Sequence, residues 1–232
     1  MKSKPRSDLF SIRFSLMLII FATLLMPMML FLSLVILHWF GFDVVDFLKD
    51  GHRFFLLILL MQGFGLAVTL GLLAKKLRSD ALSWSVIGFR RFPILRSLKY
   101  IFGFYGLILG FLVTFAVIAA SLGLTPPAEG SPVESAARGF WQALVVTVLL
   151  APFIEEILFR GLLFTSFSRK YSVVVSIILS GLIFALVHLE PTRIILVLPM
   201  GIYLAVMYHR LNSIVPGIFL HASWNLLVLV VK

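Results

Sequence analysis

The chain contains no cysteine. That absence removes disulfides, thiolate metal sites and cysteine nucleophiles together, so any catalysis must rest on Glu, His, Asn, Ser or backbone groups. Acidic residues are scarce as well, 10 Asp and Glu against 20 Lys and Arg in 232 residues. A Gly-rich phosphate cradle, HExxH and GxSxG are all missing. No stretch reads as a soluble domain, and no internal repeat of transporter type is found. What the chain has is apolar surface. It is 61% hydrophobic, with a mean hydropathy of +1.09, which exceeds what a soluble core of this length can bury. The sequence is that of an integral membrane protein.

A net charge of +10 on a soluble domain would suggest nucleic acid. Here the cations cluster between apolar runs, where they fit the positive-inside rule and anionic headgroups, so nucleic-acid binding is rejected. Apolar runs at 14–37, 54–74, 100–124, 140–164, 171–189, 194–208 and 214–231 predict an all-α transmembrane bundle of about seven spans, with a polar catalytic cavity inside the membrane. Residues 1–125 would form three helices and a basic interfacial segment, 126–139 a loop, and 140–232 a core of four helices. The stretch 125–138, rich in Pro, Gly and Ser, suits an outside loop or a flexible lid. The sixth span, interrupted by Pro199 and Gly201, is expected to be short and tilted or kinked. In the third, Gly106 and Gly110 have the GxxxG spacing that permits close helix contact, with Gly103 adding a further small face.

Lys2, Lys4, Arg6, Arg13, seven cations between 75 and 99, Arg169, Lys170 and Arg210 fall on one side of this bundle. Lys49, Arg53, Arg138, Arg193 and Lys232 fall on the other. The bias predicts a multi-pass protein of the cell membrane with its N-terminus in the cytoplasm. The segment 75–99 interleaves its cations with Leu82, Trp84, Val86, Ile87 and Phe89. It reads equally as a stretch lying partly in the headgroup layer or as an ordinary basic loop.

The fourth span holds LAPFIEEILFRGLLF, residues 150–164, with Glu155, Glu156 and Arg160 in an otherwise apolar run. Each ionisable group near a helix centre costs about 2.5 to 3.5 kcal/mol on translocon-type scales, so function is the default explanation for three. Glu156 and Arg160, at i and i+4, share a face and predict an ion pair, whereas Glu155 points about 100° away and has no assured cation. An unpaired, desolvated carboxylate suits a general base. His188 ends the fifth span, four residues after Phe184. His221 and Asn225 share a face of the seventh. Singly, each is at home as a structural hydrogen-bonding group. Jointly, three helices that direct carboxylate, imidazole and amide groups into a bilayer point to one cavity. There Glu155, helped by His188, would deprotonate a water, and His221 with Asn225 would donate to the oxyanion of a tetrahedral intermediate. The favoured reading requires no cofactor. The alternative is zinc, held by Glu155, His188 and His221. Straight, equally inserted helices would spread these groups vertically, His221 ~10 Å and His188 ~24 Å from the cytoplasmic ends at ~1.5 Å per residue.

The motifs EEILFR at 155–160, FALVH at 184–188 and HASWN at 221–225 resemble those of the CPBP intramembrane proteases. That family includes the prenyl-protein CAAX endopeptidases and bacterial relatives associated with bacteriocin self-immunity. The flanks RGLLF, YHRLNS and PGIFLH agree with the pattern, and no motif residue departs from it. The likeness covers about 140–231 well and earlier residues only as generic spans, although LSWSVIGFR faintly resembles a common family segment. It implies an intramembrane endopeptidase, glutamic-type or metal-dependent, acting on a peptide or membrane-protein substrate. Glu155 would be the base, Glu156 and Arg160 its support, His188 a water ligand, and His221 with Asn225 the oxyanion site. A non-catalytic immunity or scaffold protein of the same family is the competing reading.

Overall fold

The computed structural model describes residues 11–123 and 139–231, without the side chains at 26 and 27. Among them every regular element is helical, as the hydropathy pattern predicts. Helix α1 is Ile12–Trp39, α2 the short Val44–Lys49, α3 Gly51–Ser79 and α4 Ile94–Ser121. Helix α5, Phe140–Ser168, alternates α-helical with π-helical turns; α6 is Val173–Leu186, α7 Pro191–Leu211 and α8 Val215–Val231. Helices α1, α3, α4, α5 and α7 are long and apolar enough to cross a membrane, and α6 and α8 are shorter apolar helices. These seven correspond to the seven predicted spans. The loop expected at 125–138 lies outside the described residues.

Helix ends fall where side chains can satisfy the first backbone N–H groups. Asp43 accepts from the Val45 and Asp46 amides to start α2, and Asp50 accepts from His52 and Arg53 to start α3. The Arg53 amide holds the Asp50 carboxyl below the usual carboxylate range, with the Arg53 charge 3.0 Å away adding to the effect. Two acids of the 38–53 segment are therefore helix caps.

Helix α5 is the hub, packed against α1, α3, α6, α7 and α8, and every residue from Ile157 to Phe164 is buried. A hydroxyl contact of 2.8 Å between Ser15 and Ser166 ties α1 to it. Helices α6 and α7 cross at glycines. A Cβ on Gly201 would lie 2.9 Å from the Gly181 carbonyl oxygen, and one on Gly181 would lie 2.8 Å from Ile202. Helix α4 joins α7 and α8 through an aromatic cluster of Phe104, Tyr105, Tyr203 and Trp224.

Three expectations need correction. The sixth helix is not short. It runs 21 residues straight through Pro199, whose missing N–H removes one rung without ending the helix, while Gly201 serves the crossing with α6. The short member is α6, with 14 residues. Second, Gly106 and Gly110 make no close helix contact, since a Cβ on either would meet nothing within 4 Å. Third, residues 82–90 do more than lie at the surface. A 3₁₀ turn at Trp84–Ile87 drives Ile87 into the core, where its carbonyl would be 2.8 Å from a Cβ on Gly161. Gly88 follows with φ +94°, a conformation that disfavours side chains, and its carbonyl accepts from the Ile214 amide at 3.0 Å. The segment thus joins the middle of α5 to the start of α8.

That packing predicts different fates for two glycine substitutions. Gly161→Ala should push the 82–90 segment off α5, lowering the melting temperature in detergent and exposing the segment to limited proteolysis. Gly106→Ala should leave the melting temperature unchanged or raise it, since Ala is favoured over Gly in an open helical position by about 0.5 to 1 kcal/mol.

Candidate active site

Six polar side chains named from the sequence come from α5, α6 with its following turn, and α8. On α5, the Arg160 Nη1 group donates to Glu156 Oε1 at 2.8 Å, and both side chains are sealed from solvent, at 0% and 1% exposure. Arg160 Nη2 donates to the Gly201 carbonyl at 2.9 Å, and its guanidinium carbon lies 4.3 Å above the Phe184 ring. The close α6–α7 crossing brings both of these partners to it. Arg160 Nε has no hydrogen-bond acceptor among the described residues.

Glu155 differs from its neighbour, as the helical angle requires. Its side chain is 28% exposed and makes no ion pair with any described Arg or Lys. His221, on α8, sits between the two carboxylates, with Nδ1 3.3 Å from Glu156 Oε1 and Nε2 3.8 Å from Glu155 Oε2. A carboxylate only accepts, so Nδ1 carries a hydrogen, and Nε2 faces Glu155 either as a lone pair or as a second N–H. The approach of α8 depends on Gly217, where a Cβ would come within 2.9 Å of Glu156 Oε2.

His188 lies in the turn after α6, half-buried, with Nδ1 3.0 Å from the Phe184 carbonyl. A carbonyl cannot donate, so Nδ1 holds the hydrogen and a neutral ring keeps its lone pair on Nε2. The Phe184 ring stands between the two histidines, with centroids 5.5 Å from His188 and 5.7 Å from His221. Asn225 is engaged elsewhere. Its Nδ2 donates to the Thr147 carbonyl at 2.8 Å, in the first π-helical stretch of α5. Sequence reasoning missed three contributors, Gly201, Gly217 and Thr147, and it set Phe184 beside His188, where the ring lies, but not against Arg160. The three act through backbone atoms or the lack of a side chain, which polarity patterns do not register.

Glu155, Glu156, Arg160 and His221 therefore form one contiguous cluster, with Phe184 linking it to His188. For His221 the vertical offset expected of straight helices is absent, since it reaches both carboxylates. As to zinc, no group of three His, Asp or Glu side chains among the described residues is arranged to hold a metal ion.

Residues 137–227 match the family model described as type II CAAX prenyl endopeptidase Rce1-like. The family resemblance read from the motifs is borne out over this stretch. It contains all six polar residues. The UPF0177 protein YbdI of Lactococcus lactis subsp. lactis (strain IL1403) is 29% identical over 142 residues, 59% of this chain and 77% of that protein. Over 89 residues, 38% of this chain and 36% of the relative, it is also 29% identical to the "Putative membrane peptidase YdiL" of Bacillus subtilis (strain 168). No solved structure matches. These likenesses and the apolar helices support a membrane protease in general.

The ion pair should govern stability more than Glu155 does. Arg160→Lys keeps the charge but loses the planar fork that serves Glu156 and Gly201 at once, and Arg160→Ala leaves Glu156 buried and unpaired. Losing one partner of a buried pair costs about 3 to 5 kcal/mol. Both variants should unfold at markedly lower temperature in detergent, with Glu155→Gln close to the native chain.

Proposed function

We propose that the chain is an intramembrane endopeptidase that hydrolyses a peptide bond with a water activated by Glu155. The observation that carries this reading is the unequal treatment of two adjacent carboxylates, Glu156 locked by Arg160 and Glu155 left partly exposed with His221 beyond hydrogen-bond length from it. Glu155 takes a proton from water, and the water oxygen attacks the scissile carbonyl carbon. As the tetrahedral intermediate collapses, the C–N bond breaks and Glu155 returns the proton to the leaving amine.

His188 Nε2 has a free lone pair and serves as an acceptor that orients the water. His221, held through Nδ1 by Glu156, stands beside Glu155 and donates to the oxyanion when its Nε2 carries a hydrogen. Asn225 has a second Nδ2 hydrogen for the oxyanion, its first being committed to Thr147. The substrate is a peptide or membrane protein. The charge bias along the chain supports a cell-membrane location with the N-terminus in the cytoplasm. No step is routed through a metal.

Cleavage by the purified chain in detergent, read by mass spectrometry on membrane-protein and peptide substrates, tests this reading. Glu155→Gln should lower the rate by about 10²-fold or more while the melting temperature holds. Native-rate cleavage by that variant would falsify the assignment of the base, and a phenotype unchanged in cells carrying it would favour the immunity or scaffold reading. Chelation should leave the rate unaltered. Activity lost to a chelator and restored by zinc would overturn the metal-free mechanism.

A further inference from the structure

A cavity of about 850 Å³ lies away from the glutamates, at the end of the bundle where α3, α5 and α7 finish and α6 begins. Its walls include Arg90, Arg169, His209, Asn212, Thr165 and Ser168, with apolar Leu82, Val86 and Phe164 beside them, and no lining residue is acidic. The polar groups are held in place by the fold. Arg90 Nε donates to the Ser85 carbonyl at 2.6 Å and its Nη1 to Asn212 Oδ1, which leaves the hydrogens of Asn212 Nδ2 as donors. Ser213 Oγ donates to the Arg90 carbonyl at 2.9 Å, and Tyr208, one of the cavity walls, meets Thr165 at 3.2 Å between oxygens. Arg169 has no carboxylate within ion-pair distance among the described residues.

We infer that this cavity binds a phosphate group, presented by the headgroup of an anionic membrane lipid. Arg90 and Arg169 supply positive charge from two separate elements, and the His209 ring adds a third polar group from α7. Asn212 Nδ2 supplies a neutral donor beside them, the Thr165 and Ser168 hydroxyls having given their hydrogens to the Arg160 and Thr165 carbonyls, and guanidinium groups with an amide match the oxygens of an anionic phosphate. The place supports a lipid source. Lys75, Lys76, Arg78, Arg91, Arg96, Lys99, Lys170 and Arg210 gather at the same end, and Asp80, the one acidic residue described there, is paired with Lys76 at 2.8 Å. That end suits the headgroup layer of an anionic leaflet, and Leu82, Val86 and Phe164 give a lipid's glycerol and upper chains an apolar wall. Occupancy would brace the segment 82–90 against α7, the same segment that seats Ile87 beneath α5.

The test uses the full chain in an uncharged detergent, with thermal unfolding followed while short-chain phosphatidylglycerol, short-chain phosphatidylcholine or inorganic phosphate is added. Phosphatidylglycerol should raise the melting temperature saturably and phosphatidylcholine should not. Arg169→Gln should weaken the apparent phosphatidylglycerol affinity about tenfold, the scale expected for one charge-assisted contact. Arg169→Lys should restore most of it, and Arg210→Gln, at the same end but outside the cavity, should leave it unchanged. His209→Gln, with a smaller loss, serves as the second probe if Arg169→Gln does not fold. Stabilisation by inorganic phosphate with the same dependence on Arg169 supports the site with free phosphate as its source; an effect confined to phosphatidylglycerol supports the headgroup. Equal responses to the two lipids, or equal losses from Arg169→Gln and Arg210→Gln, overturn the inference.

Discussion

The arrangement of the C-terminal helices turns on a single constraint, the burial of Arg160 and Glu156 in a membrane-spanning helix. An ion pair removed from solvent is tolerated only when attraction and additional hydrogen bonds offset desolvation. Each neighbour of the pair contributes to that. The Gly201 carbonyl takes the second guanidinium nitrogen, the Phe184 face lies beneath the guanidinium plane, and His221 donates to Glu156. None of these partners can reach the pair unless helices approach closely, which accounts for glycine at 181, 201 and 217. Small residues here serve polar chemistry. At Gly106 and Gly110, by contrast, an added Cβ would meet nothing within 4 Å among the described residues.

The pair also sets what Glu155 can do. Adjacent residues on a helix diverge by about 100°, so the fixation of Glu156 toward Arg160 turns Glu155 to another face. One carboxylate becomes part of the framework and the other stays partly exposed. His221 faces both, with one nitrogen on the fixed carboxylate and the other 3.8 Å from Glu155. Its position makes it a link between structure and chemistry.

Much of this was legible in the sequence because the relevant rules are local. Apolar length yields the helices, and i, i+4 spacing yields the Glu156–Arg160 pair and the separate face of Glu155. What stayed hidden depends on distant backbone. Pro199 reads as a break, but a long apolar helix held by the crossing at Gly201 continues through it. Ile87 reads as part of a basic surface segment, and only the missing side chain at Gly161 shows why it is buried. Asn225 reads as a free amide because nothing local reveals that a π-helical stretch presents the Thr147 carbonyl to it.

Depth in the membrane shows most clearly how such backbone contacts matter. Counted from the helix ends, His221 should lie well short of Glu155. The fold removes the discrepancy by starting α8 inside the bundle. The Ile87 carbonyl rests against Gly161 in the middle of α5, and Gly88 next to it accepts the Ile214 amide, so α8 begins level with Gly161 rather than with Ser168. Seven residues on, His221 reaches Glu156, which lies five residues back along the antiparallel course of α5. The α5–α6 hairpin is fixed by Phe184, which packs on Phe159 at 5.1 Å and holds the His188 ring 5.5 Å away. A segment between α3 and α4, outside the three motifs, thereby sets the register of the site, and this is why Gly88 and Ile87 belong with the glutamates in any account of how the cluster assembles.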